Sequence, residues 1–328
     1  MIDATELFLE GRDLKTRAVK ALERRLDRNP HELETRVRLM AFYGKGATRS
    51  QAMRKKFKLQ NLWFIERLPD SSVCSIPILD LPPASNRAFY RRARELWLKH
   101  CRGSKVSVEV LANAARFFTG LDDRKAEQLL KRAEALQPGR VQWKTRLGHL
   151  YENGAKRGRA SRRTAQARLA LGKFEEAWRL TRDRNSRFYT LPDLARTAFA
   201  AGDFRKAKKY ATDCISEAAL FKDWAHGNGI HHGHAVLGRV AFARRDFALA
   251  AKHLLDAGRT PGSPQLSSFG PSFELAEELL LAGDSRSVLD YLELCRRFWS
   301  YRAKAIDAWQ KQIRVGKRPD FQSAEDHA

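Results

Sequence analysis

Cysteine is scarce and scattered. Cys74, Cys101, Cys214 and Cys295 include no CxxC pair, which argues against a disulfide framework or a thiolate metal site and leaves buried, reduced thiols. No apolar run approaches the roughly 20 residues of a membrane span. Met1 to Arg12 carries three acids before its first base, the wrong charge order for a secretory or mitochondrial leader. A cytoplasmic location with no membrane partner is the expectation. Strand-like alternation is nearly missing. Catalytic signatures are missing too: there is no glycine-rich phosphate loop ending in Lys-Ser/Thr, no Gly-x-Ser-x-Gly elbow and no dinucleotide fingerprint. Glu175-Glu176 and Glu277-Glu278 are adjacent carboxylates, and on a helix one of each such pair faces water. Neither an enzyme nor a cofactor is expected.

What is present is charge, mostly positive. Of 328 residues, 43% are hydrophobic and 30% charged, with a net charge of +24, the composition of an ordered chain rather than a disordered one. The surplus is uneven. Residues 31–107 hold 16 Lys/Arg against 6 Asp/Glu, and residues 139–190 hold 14 against 4. Such stretches form local positive faces that attract acidic peptide, nucleic acid or an anionic surface. A merely arginine-rich, solvated helix surface gives the same count without a partner.

A short phrase recurs: Gly172-Lys173-Phe174-Glu175-Glu176-Ala177, Gly202-Asp203-Phe204-Arg205-Lys206-Ala207 and Arg245-Asp246-Phe247-Ala248-Leu249-Ala250. Glycine relaxes a helix end, a polar residue sits in the turn, Phe fills the space between two helices and Ala lets them approach. A recurring turn unit indicates a repeat array. Val108 to Phe118 has the matching helical period, Gly120 to Asp123 the turn, and Ala126 to Leu136 a second helix ending before Pro138. Here the chain resembles the tetratricopeptide repeat (TPR), a 34-residue helical hairpin. Its small, bulky and proline positions fall on Ala114, Phe117, Ala126, Ala133 and Pro138, although Asn113 stands where Leu is usual. Ala18 with Pro30, Trp143 to Tyr151, His234 to Gly238, and Ser272 through Gly283-Asp284 to Trp299 fit the same ruler. The whole chain is similar to a group of bacterial TPR-containing proteins, on the evidence of Asn113 to Phe118, Gly229 to Gly238, Gly258 to Leu266 and Leu292 to Trp299. That likeness brings no activity with it.

Spacing is irregular. The equivalent residues Ala126, Ala177, Ala207, Ala250 and Val288 stand 51, 30, 43 and 38 apart. Arg159 to Leu180 reads as two helices broken at Gly172, one long helix being the alternative. The expected fold is all-α: an irregular α-α solenoid of roughly six or seven stacked TPR-like hairpins with a C-terminal capping helix. The chain 1–328 reads as one domain, with N-terminal repeats 1–67, a Pro-rich ordered connection 68–86, a main array with its capping helix 87–314, and a polar tail 315–328.

Three sites compete. In TPR peptide binders the first helices line a concave face. The resemblance carries that role to Gln142, Thr145, Arg146, His149 and Glu152, then to Arg159, Arg162, Arg163 and Gln166, and on to Arg196, His232 and Arg239. Guanidinium groups gathered there suit carboxylate, hence an acidic peptide or chain terminus. Nucleic acid is the alternative partner. The tract Arg49 to Lys58 precedes Trp63-Phe64, and Arg87 to Lys99 interleaves bases with Phe89, Tyr90 and Trp97, so bases attract phosphate while aromatics stack. Burial explains the same aromatics. Last, His226, His231, His232 and His234 cluster around a glycine-rich loop. No His-Glu-x-x-His occurs and no acid lies between Asp223 and Asp246, so packing roles are expected and no metal. Were a metal-assisted hydrolase built there, His231 and His234, three apart on one helical face, would be its ligands.

Overall fold

Where glycine is followed by aspartate in this chain, at Gly202-Asp203 and Gly283-Asp284, a helix ends just before it. The computed structural model describes residues 4–75, 83–221 and 225–321, and among these residues it contains 17 α-helices, three short 3₁₀ turns and no strand. No described helix is long and apolar enough to cross a membrane. The chain divides into two compact units, Met1–Pro138 and Gly139–Ala328. The division falls inside the stretch 87–314 that the sequence reads as one array.

The first unit holds α1 (Ala4–Arg12), α2 (Thr16–Arg28), α3 (Leu33–Gly46), α4 (Gln51–Arg67), α5 (Arg87–His100), α6 (Val108–Phe118) and α7 (Asp123–Leu136). Its core gathers Val37, Leu39, Met40 and Tyr43 of α3 with Phe57 and Phe64 of α4, and Val73 from the connection. Of that Pro-rich connection, 76–82 lies outside the described residues. The remainder is ordered, and Asn113 donates from its amide to Pro69 O at 2.9 Å and Ser71 O at 3.0 Å. That contact explains the polar residue at a position where leucine is usual.

The second unit holds α8 (Val141–Arg157), α9 (Ala160–Leu180), α10 (Arg184–Ala200), α11 (Phe204–Ala218), α12 (Ala225–Ala243), α13 (Phe247–Gly258), α14 (Pro264–Phe269), α15 (Glu274–Leu281), α16 (Ser285–Arg296) and α17 (Ala303–Arg314). Consecutive helices pack as hairpins from α8 to α13, and α15 with α16 forms a further pair that α17 caps. Three of the turns are built alike. Gly202 and Gly283 take φ of +80° and +94°, and the amides of Asp203 and Asp284 bond back to Ala198 O and Leu279 O, each at 2.9 Å. Each aspartate then caps the next helix, accepting from Lys206 N at 2.9 Å or Ser287 N at 3.0 Å. Arg245-Asp246 repeats this geometry with Arg245 at φ 64°, where a side chain crowds the backbone. Arg245→Gly is therefore expected to raise stability by about 1 kcal/mol, read as a higher urea midpoint. A lowered midpoint would contradict the strain.

Gly172 behaves differently, and the expected break there does not occur. Helix α9 runs unbroken from Ala160 to Leu180. Lys173 follows Gly172, so no aspartate offers a cap. Ala167, Ala170, Leu171, Phe174 and Ala177 form one buried stripe across the glycine. Packing that stripe outweighs the roughly 1 kcal/mol that glycine costs inside a helix.

Two further expectations change. The glycine-rich stretch around the histidines is helix α12, not a loop; Gly229 and Gly233 are the residues that let α11 approach, since a Cβ on either would lie 2.8 Å from Cys214 O or 2.7 Å from Ala211 O. The segment after α17 is not simply a polar tail. Phe321 is buried and stacks on Phe273 at 4.6 Å between ring centroids, beside Trp309. Residues 322–328 lie outside those described.

Candidate functional site

Helices α8, α10, α12 and α15 are the first helices of successive hairpins; α10 packs on α12 and α12 on α15, while α8 is joined to α10 by the Arg196–Glu152 bond. Helical period places Gln142, Arg146 and His149 along one side of α8, followed by Glu152 and Lys156. Glu152, only 7% exposed, is the hub. It accepts from Arg196 Nε of α10 at 3.3 Å, and lies 3.2 Å from Lys156 Nζ and 3.6 Å from His149 Nδ1. Arg196 also donates to Asp193, whose other oxygen is 3.9 Å from His149 Nε2. His149, Glu152, Arg196 and Asp193 thus close a ring in which carboxylates alternate with nitrogen groups between α8 and α10.

The electrostatics follow from that ring. Burial alone would raise the Glu152 carboxyl, but the nearby His149 imidazole and the charges of Arg196 and Lys156 outweigh it and hold it well below the ordinary carboxylate range. Conversely, the nearby Glu152 carboxylate raises His149 against the effect of burial, with Asp193 assisting. His232 of α12 feels the same group. Burial, then the neighbouring His231 and Arg196, push its pKa well down, so it is neutral there. Further along, Arg239 of α12 donates through Nε to Glu278 Oε1 of α15 at 2.9 Å and lies over the Phe199 ring at 4.4 Å.

The residues expected on the concave face divide accordingly. His149, Arg196 and His232 come together, with Arg239 beyond them on the same helices. Gln142 and Arg146 are exposed on the same side of α8, Arg146 lying 5.5 Å from the Trp143 ring. Arg159, Arg162 and Arg163 do not join. Because α9 is continuous, they fall on the exposed N-terminal turn of a second helix, and Arg163 donates to Gly158 O at 3.0 Å. The sequence reading missed Asp193, Lys156 and Glu278 as members. Asp193 had a legible signal, standing three residues before Arg196 as a helical ion pair does.

His231 is fully buried and occupied at both nitrogens. Its Nδ1 lies 3.1 Å from Ala257 O, and Nε2 accepts from the Ser272 amide at 2.9 Å. It is a structural hinge between α12, the end of α13 and the approach to α15, with no lone pair left for a metal. His234 instead faces His253, with Asp256 close by.

In the first unit, Lys55, Lys58 and Arg87 rim a cleft between α4 and α5, with Leu59, Leu62 and Phe89 in its lining. No described carboxylate pairs with these three bases. Of the aromatics proposed for stacking, Trp97 is buried in the core, and the half-buried Trp63 lies beneath Arg36 at 4.0 Å. Only Phe89 faces the cleft among them.

No protein-family model matches the chain, and no curated protein matches it in sequence. Among solved structures, the human IFIT1 dimer with PPP-AAAA is similar at a TM-score of 0.48 and 19% identity, over 91% of this chain and 68% of that chain. An IFIT1 monomeric mutant with Gppp-AAAA gives 0.49 and 18%, over 95% and 67%. At these values the likeness assigns no activity and no family.

Proposed function

We propose that the protein is a non-enzymatic, cytoplasmic adaptor of the TPR type that binds a polypeptide segment along the face of α8, α10, α12 and α15. The observation that supports this reading is the ring of His149, Glu152, Arg196 and Asp193, continued by His232 and the Arg239–Glu278 pair. Charged groups in such a setting are costly unless paired, yet successive first helices present them on one face instead of apolar side chains. The two guanidinium groups are partly spent on internal carboxylates. Arg196 and Arg239 each retain an Nη1 that makes no hydrogen bond among the described residues, which suits a guest bringing one or two carboxylates, such as an acidic side chain or a chain terminus. Backbone amides and carbonyls of an extended guest match the remaining mixture of donors and acceptors.

The test uses peptides selected by display on the full chain. Arg239→Glu is expected to weaken them at least tenfold, about 1.4 kcal/mol. The paired exchange Arg239→Glu with Glu278→Arg restores the ion pair and the melting temperature but not the affinity. Binding unchanged in both variants would defeat the reading.

The unpaired bases around the α4–α5 cleft favour a second reading, single-stranded nucleic acid bound along the first unit with phosphates on Lys55, Lys58 and Arg87 and a base against Phe89. It requires an affinity that falls steeply with salt, in proportion to the phosphates contacted; a flat salt response would exclude it.

A further inference from the structure

We propose that His234, His253 and Asp256 form a binding site for a divalent transition-metal ion of the zinc class, clamping α12 to α13. His234 projects from α12, while His253 and Asp256 stand three residues apart and so share one face of α13. The two Nδ1 atoms face each other at 3.0 Å, with ring centroids 5.2 Å apart. One potential ligand atom from each of the three residues lies within 4.8 Å of the other two. Ligands at about 2.0–2.2 Å from zinc lie roughly 3–3.5 Å from one another, so only the carboxylate need close in.

The chemistry fits the geometry. Two imidazole nitrogens and one carboxylate oxygen are the ligand set of many zinc sites, and imidazole also suits nickel and copper. As the pair stands, one imidazole Nδ1 must donate a proton to the other. A metal ion takes the place of that proton, the donor ring carrying its hydrogen on Nε2 instead, so neutral histidines bind without net proton loss. Asp256 pairs with one guanidinium, Arg259, whose Nη1 lies 2.7 Å from Oδ1, so a single cation competes with the ion for this carboxylate. Three ligands leave a fourth position open to water or to a side chain brought by a partner.

Two nearby groups are poorer candidates. His149, Glu152 and Asp193 also converge, but Arg196 and Lys156 both pair with Glu152, at 3.3 and 3.2 Å, and Arg196 pairs with Asp193 as well, so two cations crowd that cluster where one guanidinium meets Asp256. His231 has both nitrogens occupied by backbone groups.

The experiment is calorimetric titration of the full, untagged chain with zinc chloride, and of His253→Ala and Asp256→Asn under the same conditions. Cobalt(II) absorption reports the ligand field independently. One equivalent is expected to bind, and the melting temperature to rise with the logarithm of the zinc concentration above saturation. His253→Ala should lose more than the roughly 10–100-fold that removal of an outer-shell partner costs. Its metal-free melting temperature should stay near that of the parent chain, because the ring is half exposed. No binding by the parent chain at 100-fold excess zinc, or binding that both variants retain, would overturn the site.

Discussion

Gly227→Ala is expected to cost about 3 kcal/mol of stability, near the upper end of overpacking penalties, and to lower the urea midpoint sharply. A Cβ at this position would lie 1.9 Å from Gly262 O, 2.6 Å from Gly262 C and 3.1 Å from Thr260 Oγ1. The carbonyl cannot retreat. Gly262 is itself pressed against Phe298, where its own added Cβ would lie 2.5 Å from that side chain. Thr260 Oγ1 donates to Gly227 O at 2.7 Å, so the loop after α13 is tied to the start of α12 at this point. Gly172→Ala is the matched control. Nothing lies within 4 Å of its added Cβ, and inside continuous α9 the change should add up to about 1 kcal/mol. A Gly227→Ala protein as stable as its parent would show that α12 does not meet that loop as described. A destabilised Gly172→Ala protein would show that α9 breaks after all.

Acidification is expected to remove roughly 3 kcal/mol between neutral pH and pH 4 through His231 alone. Burial lowers this histidine to about 4, against a partly compensating backbone bond to Ala257. The unfolded chain takes up its proton near pH 6.5, so below that value the unfolded state binds more protons and stability falls, levelling off once the folded state also protonates near pH 4. Glu152 acts in a lower window. Its depressed carboxyl contributes stability above its unfolded pKa of about 4.3 and loses it as pH falls further. His149, raised in the folded state, stabilises below pH 6.5 and loses that contribution as pH rises through its folded pKa. Urea midpoints at pH 7 and pH 4.5 for the parent chain and His231→Gln separate these contributions. Gln keeps a donor and an acceptor for Ala257 O and the Ser272 amide while removing the titration. The pH loss should shrink in the variant; an equal loss in both would remove His231 from the account.

The turn signature was legible, but its informative letter was aspartate rather than glycine. Asp203, Asp246 and Asp284 each cap a helix, and even the non-glycine Arg245 turns when followed by Asp246. Gly172, followed by Lys173, stays helical. That one difference moved Arg159, Arg162 and Arg163 off the shared face, since their placement depended on a break that packing against α8 suppresses. His149, Arg196 and His232 were legible because each sits on a first helix whose register its own apolar stripe fixes. Their counter-charges were not. Glu278 reaches Arg239 across 39 positions of sequence, and such pairings emerge only when α12 and α15 are set side by side. Phe321 hid for the same reason: a lone aromatic in a polar segment shows nothing of the Phe273 and Trp309 rings it will meet.

Crosslinking mass spectrometry of the full chain with a display-selected peptide tests the central claim most directly. Crosslinks from the peptide to α8, α10 and α12, around His149, Arg196 and His232, are the predicted result. Crosslinks confined to α4 and α5, or to the second helices α9, α11 and α13, would contradict a binding face on the first helices.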